Sequence, residues 1–390
     1  MNIQQMPPPA VHRMVGAGVT TRWGAAVIIP ARDESNRIEA CLQAIHHAIT
    51  RSGHRVGVVV CVNDTTDDTA PKAAAMLRTS ALPHVVADLH FAPGTGGVGR
   101  VRDIGMTLAQ RLAQPPQMLM TTDADSRVCP DWISANLAEL RTADVVFGAI
   151  TPDPDELAQI RGQLSRHDRD EERYAEAATR LVTLLDPLAH DPAPGHLGHS
   201  GASIALTTTA LARMGGIPWK PLSEDRALAL RAEALDLRIR HASAPLVVTS
   251  CRLDGRAVGG MATTLQERCS QADPLCDAWL EPAGALVRRY TAKGRLRALW
   301  PAPRAVRRMV DQLLGPAPPL CDPDNFETFG AFWQRLEATH PALRRRRLRQ
   351  SEAARELPLL LALLCQIKGA GLPGTAISAR QEPIHALRSQ

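Results

Sequence analysis

At 390 residues the chain can bury a substantial core, and 45% hydrophobic with 22% charged residues is the composition of an ordinary globular protein. A net charge of +5 is small for this length and lends no support to nucleic-acid binding. Eight cysteines without any Cys-x-x-Cys spacing suit reduced thiols, residues 1–18 lack the apolar centre of a signal peptide, and the longest apolar run (357–365) falls short of the ~20 residues that span a bilayer. A soluble, cytoplasmic protein is expected.

Residues 1–23 read as a flexible N-terminal tail. From Ala25 the run Ala-Ala-Val-Ile-Ile-Pro fits a buried strand, and Ile38, Leu42, Ile45 and Ile49 then recur on one face of a helix. A second β-branched run, 56–62, ends in Asn63-Asp64-Thr65-Thr66-Asp67-Asp68-Thr69 before another helical stretch. Alternation of strand, polar turn and helix predicts a mostly parallel sheet with right-handed crossovers.

Gly94-x-Gly96-x-x-Gly99 invites comparison with a dinucleotide-binding turn. Arg100 and Arg102 follow it, however, and no acid-ended strand comes at the usual later spacing. A glycine loop that meets phosphate, with Arg102 as the cation, and a plain glycine turn with a solvated arginine face are both compatible with the residues.

Met118-Leu119-Met120-Thr121 is a third short strand, and it runs into Asp123-Ala124-Asp125. Carboxylates at i and i+2 of an extended chain point the same way and can face one hard cation at the carboxyl end of a strand, where α/β sheets bind ligands. Taken alone, the pair is equally a surface turn or the cap of a helix beginning near Asp131.

Asp144 to Ala149 form another strand, residues of about 154–194 a helical insertion, and Gly198 to Ala205 a strand entered through glycine. A helix closed by Gly215-Gly216 follows, then Ser223-Glu224-Asp225, where the serine suits an N-cap and the acids complement a helix dipole. Two short strands are expected at 238–241 and 246–250, and residues 257–390 are mainly helical. His190, His196 and His199 bracket a proline-glycine loop as packing or solvated residues. The Arg344-Arg345-Arg346-Arg347 run before an apolar stretch is a solvated face or a basic surface for peripheral contact with an anionic membrane.

In order, Val27-Ile28-Ile29-Pro30-Ala31-Arg32-Asp33-Glu34, Val62 to Thr69, Gly99 to Gly105, Thr122-Asp123-Ala124-Asp125, Gly201-Ala202, Gly215-Gly216 and Glu224-Asp225 resemble family 2 glycosyltransferases of the GT-A fold. The resemblance covers about 25–256 and implies a GT-A domain over 24–256, with a mostly parallel central sheet and a helical C-terminal extension. It implies a nucleotide-sugar donor held around Pro30, Arg32, Glu34 and Asp64, approached by Arg102, with Asp123 and Ala124 against it. It implies Mg²⁺ or Mn²⁺ on Asp123 and Asp125, hexosyl transfer to an acceptor hydroxyl, Asp225 as the base and Glu224 as its positioning neighbour. Asp33 and Asp103 stand where the family often has asparagine, and threonines follow Asp64 where many relatives have glycine and serine. His241 is a candidate further metal ligand.

A cation bridging the two phosphates makes the nucleotide diphosphate a better leaving group, and a carboxylate that takes the hydroxyl proton contributes ~10²–10⁴-fold. In-line attack opposite the leaving diphosphate inverts the anomeric centre. The alternatives are a non-catalytic nucleotide-sugar or partner-binding module on the same fold and a sugar-phosphate nucleotidylyltransferase. The latter class carries a Gly-x-Arg loop where this chain has Pro30-Ala31-Arg32.

Overall fold

The protein is described by a computed structural model over residues 7–220, 223–255 and 260–369. Its elements begin with β1 (Ala10–Ala17), β2 (Ala25–Ala31), α1 (Ile38–Ser52), β3 (Val56–Asn63), α2 (Thr69–Thr79), β4 (His84–His90) and α3 (Val98–Gln110). There follow β5 (Met118–Thr121), β6 (Arg127–Val128), α4 (Trp132–Glu139), β7 (Val145–Pro152), α5 (Pro154–Ile160) and α6 (Asp168–Leu185). Then come β8 (Ile204–Thr207), α7 (Thr208–Met214), α8 (Glu224–Ala234) and β9 (Ile239–Thr249). The last are α9 (Met261–Ser270), α10 (Ala283–Leu299), α11 (Pro303–Leu314), α12 (Phe329–Thr339) and α13 (Gln350–Gly369).

Every residue of β2 and β3 is buried, as continuous apolar strands covered on both faces must be. They lie at the centre of a sheet ordered β1-β4-β3-β2-β5-β8-β7-β9-β6. The run β4-β3-β2-β5 is parallel, with Ile28 opposite both Val59 and Thr121. Beyond it β8 is antiparallel to β5 and β7, and β9 is parallel to β7. On one face Ile38, Leu42 and Ile45 of α1 and Trp132 of α4 cover Val27, Ile29 and Val58. On the other, Val101 and Met106 of α3, Leu211 of α7 and Leu228 of α8 cover Ile28, Val59 and Phe147.

Helix α6 belongs in packing to the helices at the chain's end. Its Tyr174 and Leu181 share a core with Leu286 of α10 and Leu357, Leu360 and Leu364 of α13, and Gln350 donates to Glu171 at 2.8 Å. A neighbouring core joins Leu296 of α10, Val310 of α11 and Trp333 of α12. The expected insertion is thus the part of the α/β region that reaches out to the C-terminal helices.

Three expectations change. The stretch expected as a tail contains β1, which pairs antiparallel with β4 and covers what would otherwise be an exposed edge. The two strands expected near 238–250 are one, because β9 passes through Pro245 with a register irregularity against β7. Ser223 precedes α8 at φ 57°, a left-handed backbone and not the extended one of an N-cap, and makes no side-chain cap hydrogen bond. In the arginine run, Arg345 pairs with Glu337 at 2.9 Å, Arg346 with Glu352 at 2.7 Å, and Arg347 donates to the Cys276 carbonyl. All four arginines are exposed, so the run is a solvated face whose members are pinned by these pairs. Among the described residues no helix is long and apolar enough to cross a membrane.

Candidate active site

Because β2, β3 and β5 are parallel, the turns that follow them open on the same sheet edge. The first two turns are stitched together by the threonines after Asp64. Asp33, at φ 51°, accepts from the Thr66 amide at 2.8 Å, while the Glu34 amide donates to Thr69 Oγ1 at 2.8 Å and the Ser35 amide to Asp67 at 3.0 Å. The Thr66 amide bond holds the Asp33 carboxyl below its ordinary range. Asp64, also left-handed at φ 45°, accepts from the Phe91 amide at 2.8 Å and so ties the end of β3 to the glycine loop after β4. Pro30 is buried at the base of this edge, and Arg32 is exposed above it, 3.8 Å from Asp33.

Thr122 continues the pairing of β5 by donating to Ile28, and Asp123 to Ser126 then form a tight turn. Asp123 and Asp125 therefore sit in a turn and not on an extended strand, with Ala124 buried between them. Each carboxylate meets a different arginine. Arg102, whose side chain is 2% exposed, donates to Asp123 on one side and to Glu224 on the other, with Thr121 Oγ1 at 3.2 Å. Burial works against the guanidinium charge, but Asp123 and Glu224 more than offset it. Arg252 lies 3.1 Å from Asp125 and is bidentate to Glu34, one arm at 2.9 Å. The sequence marks Arg102 as a cation approaching the donor; its guanidinium is in fact enclosed between two carboxylates.

Two glycines make room for this arrangement. A Cβ on Gly201 would fall 2.5 Å from the Arg102 guanidinium nitrogens, and one on Gly99 would fall 2.4 Å from the Pro218 carbonyl and 2.9 Å from Glu224. The Gly201 amide donates to Asp225 Oδ2 at 3.1 Å, and the Arg226 amide donates to Oδ1 at 2.7 Å. Burial, opposed by those amides and by Arg102, raises the Asp225 carboxyl above its ordinary range. Asp103 uses both carboxylate oxygens: one accepts from the Ile217 amide at 2.8 Å and the other from Trp219 Nε1 at 2.9 Å, a pair of acceptors that an amide side chain would not offer on two atoms.

A cleft of about 2250 Å³ runs from Asp64 and Asp123 past Asp225 to Lys293 and Trp333 on the C-terminal helices. Burial, then the charges of Asp123 and Glu34, push the Asp125 carboxyl up to about 6 in spite of Arg252. That shift marks a local deficit of positive charge which a divalent cation would relieve, and Asp123 and Asp125 offer the hard oxygens that Mg²⁺ or Mn²⁺ prefers. Among the described residues no third His, Cys, Asp or Glu completes a set with them, so the remaining positions would fall to water and donor phosphate oxygens. His241 is placed elsewhere: its Nδ1 is 2.7 Å from Asp191, its Nε2 is 3.2 Å from His199, and its ring stacks on Phe147.

Residues 26–192 match the family model described as Glycosyl transferase family 2. The family 2 match ends before Gly201, Glu224 and Asp225, which the Arg102 ion pair brings back to it. The sheet and its helical layers form a mixed α/β fold, mostly parallel at the centre of the sheet, with a helical C-terminal extension. Among solved structures, the chain is similar to S. aureus TarS 1-349 in complex with UDP-GlcNAc, at 15% identity and TM-score 0.43 over 74% of this chain and 72% of that one. It is also similar to the mannosyltransferase PcManGT from Pyrobaculum calidifontis in complex with GDP-Man and Mn²⁺, at 18% identity and TM-score 0.40 over 95% and 85%. Glucosyl-3-phosphoglycerate synthase from Mycobacterium tuberculosis, with Mn²⁺, UDP and phosphoglyceric acid, shows 16% identity and TM-score 0.38 over 68% and 87%. No curated protein sequence matches.

Arg252 escaped the reading of the sequence, as did Glu156, which accepts from Arg37, Ser250 and the Cys251 amide. Their signal was faint: a basic residue just past a strand end, and an acid on a helix rich in acids.

Proposed function

We propose that the protein is an inverting, divalent-metal-dependent glycosyltransferase that moves a sugar from a nucleotide-diphosphate sugar to an acceptor hydroxyl. The observation that carries the reading is the Arg102 bridge: Asp123, at the end of the donor half, and Glu224-Asp225, more than a hundred residues later, are held in one charge network facing one cleft.

Asp123 and Asp125 would hold the cation, which supplies Lewis-acid stabilisation of the leaving diphosphate. The turns at Asp33 and Asp64 form a floor for base and ribose, and Arg32 stands exposed beside it. Asp225 takes the acceptor proton. Its two backbone donors leave one lone pair on each carboxylate oxygen free, and partial burial raises its basicity. Glu224, locked to Arg102, positions Asp225 at the first turn of α8. A carboxylate that acts as base and not as nucleophile fits a single displacement, in which the acceptor attacks opposite the leaving diphosphate and inverts the anomeric centre. The acceptor enters between the α/β region and helices α10 and α12, which line the far end of the cleft.

A thermal-shift panel of nucleoside diphosphates with and without Mn²⁺ tests this. At least one should stabilise the protein only when metal is present, by about 2.7 kcal/mol at a hundred times its dissociation constant. Asp125→Asn should abolish that metal dependence. No response to any nucleotide with metal present would defeat the reading.

A further inference from the structure

A second set of metal-ligating side chains lies away from the cleft, where β1 meets β4. Asp88 and His90 are two apart on β4 and so share a face of the sheet. On β1 the register shifts between Val11 and Arg13, which leaves His12 at the irregularity beside them. The His12 and His90 rings meet edge to face, 5.5 Å between centroids.

Asp88 lies between the two imidazoles. Its Oδ2 is 3.5 Å from His12 Nδ1 and its Oδ1 is 3.8 Å from His90 Nε2, both longer than the roughly 2.7–3.2 Å of a hydrogen bond. Among the described residues Asp88 Oδ1 is buried with no hydrogen-bond partner. All three ligand atoms lie within 4.8 Å of one another. Two ligands about 2.0–2.1 Å from a tetrahedral ion stand about 3.3–3.4 Å apart, so these gaps are closer to the edges of a coordination shell than to direct contacts.

We propose that His12, Asp88 and His90 bind a borderline divalent cation of the Zn²⁺ class. The site is distinct from the carboxylate pair in the cleft and independent of the function proposed above. Two imidazoles and a carboxylate favour Zn²⁺, Co²⁺ or Ni²⁺ over Mg²⁺, whereas the all-oxygen pair Asp123 and Asp125 has the opposite preference. The bound ion joins β1 to β4 one residue before Phe91, whose amide holds Asp64. Farther along the same segment the Pro7 carbonyl accepts from Arg100 of α3. Metal at the triad therefore fastens the N-terminal strand alongside the nucleotide end of the cleft.

The test is a Co²⁺ titration of the full-length protein kept in excess Mg²⁺, read by visible d–d absorption and followed by Zn²⁺ displacement. One equivalent should bind at micromolar concentration, and Zn²⁺ should raise the melting temperature. His90→Ala and Asp88→Asn should each lose both effects, while Asp125→Asn keeps them. The two histidine side chains are 71% and 48% exposed, so His12→Ala and His90→Ala should melt like the parent without metal. The proposal fails if the parent takes up no Co²⁺ below millimolar, or if the variants retain the equivalent. It fails equally if the only signal is near-ultraviolet thiolate absorption, which would put the ion on cysteine.

Discussion

Arg102 and Glu224 form an ion pair across 122 positions of sequence, with only 2% and 8% of their side chains exposed. Removing one member of a buried pair strands the other charge and costs about 3–5 kcal/mol. Arg102→Ala, which strands Asp123 as well, should lower unfolding free energy by that amount in urea titrations. Arg102→Lys should recover part of it, because an ammonium keeps the charge but cannot span both carboxylates in the guanidinium plane. A loss under 1 kcal/mol for Arg102→Ala would mean the bridge is not formed in solution.

Asp225→Asn should leave metal-dependent binding of the nucleoside diphosphate unchanged and slow sugar transfer by about 10²–10⁴-fold. Its raised carboxyl sets the direction of the pH profile: below its pKa the base is protonated, so turnover falls on the acidic side, at a higher pH than for an ordinary carboxylate. Initial rates across pH, with the melting shift as a binding control, check both points. Near-normal turnover in Asp225→Asn would assign the base elsewhere.

Arg252 is the counter-cation for Glu34 and Asp125, which are 7% and 20% exposed. Arg252→Ala leaves two neighbouring carboxylates without it and should destabilise the metal-free protein by about 3 kcal/mol. Mn²⁺ should then raise the variant's melting temperature more than the parent's, because the ion supplies the charge that was removed. Equal metal shifts in the two proteins would contradict this.

The Asp125 carboxyl stands at about 6 against an ordinary 3.8. A raised folded-state pKa means that the folded chain holds the proton more tightly than the unfolded one. The resulting stabilisation is complete below the unfolded value and is lost as pH rises through about 6, up to about 3 kcal/mol. In chelator, parent stability measured relative to Asp125→Asn should fall between pH 4 and about 6.5, and divalent metal should offset the fall. A flat difference across that range would remove the shift.

The central strands were legible because burial on both faces demands continuous apolar runs, and 25–31 and 56–63 have them. The N-terminal strand was not. Ala10–Ala17 is mostly exposed and has no buried face, and its existence depends on the open edge of β4, which no local pattern reports. The acids at the ends of β2, β3 and β5 could be named from the sequence because parallel strands deliver their carboxyl ends to one edge. The arginines were harder to place, since a guanidinium reads alike in sequence whether it meets water, phosphate or a buried carboxylate. By itself the sequence determined the alternating α/β order and the carboxylates available to the site, because hydrophobic periodicity and turn chemistry act over a few residues. Only the tertiary structure decided that Arg102 is enclosed and not free, that Arg252 joins Glu34 to Asp125, and that His241 turns to Asp191. Pairing of charges depends on distances set by packing between segments far apart in the chain.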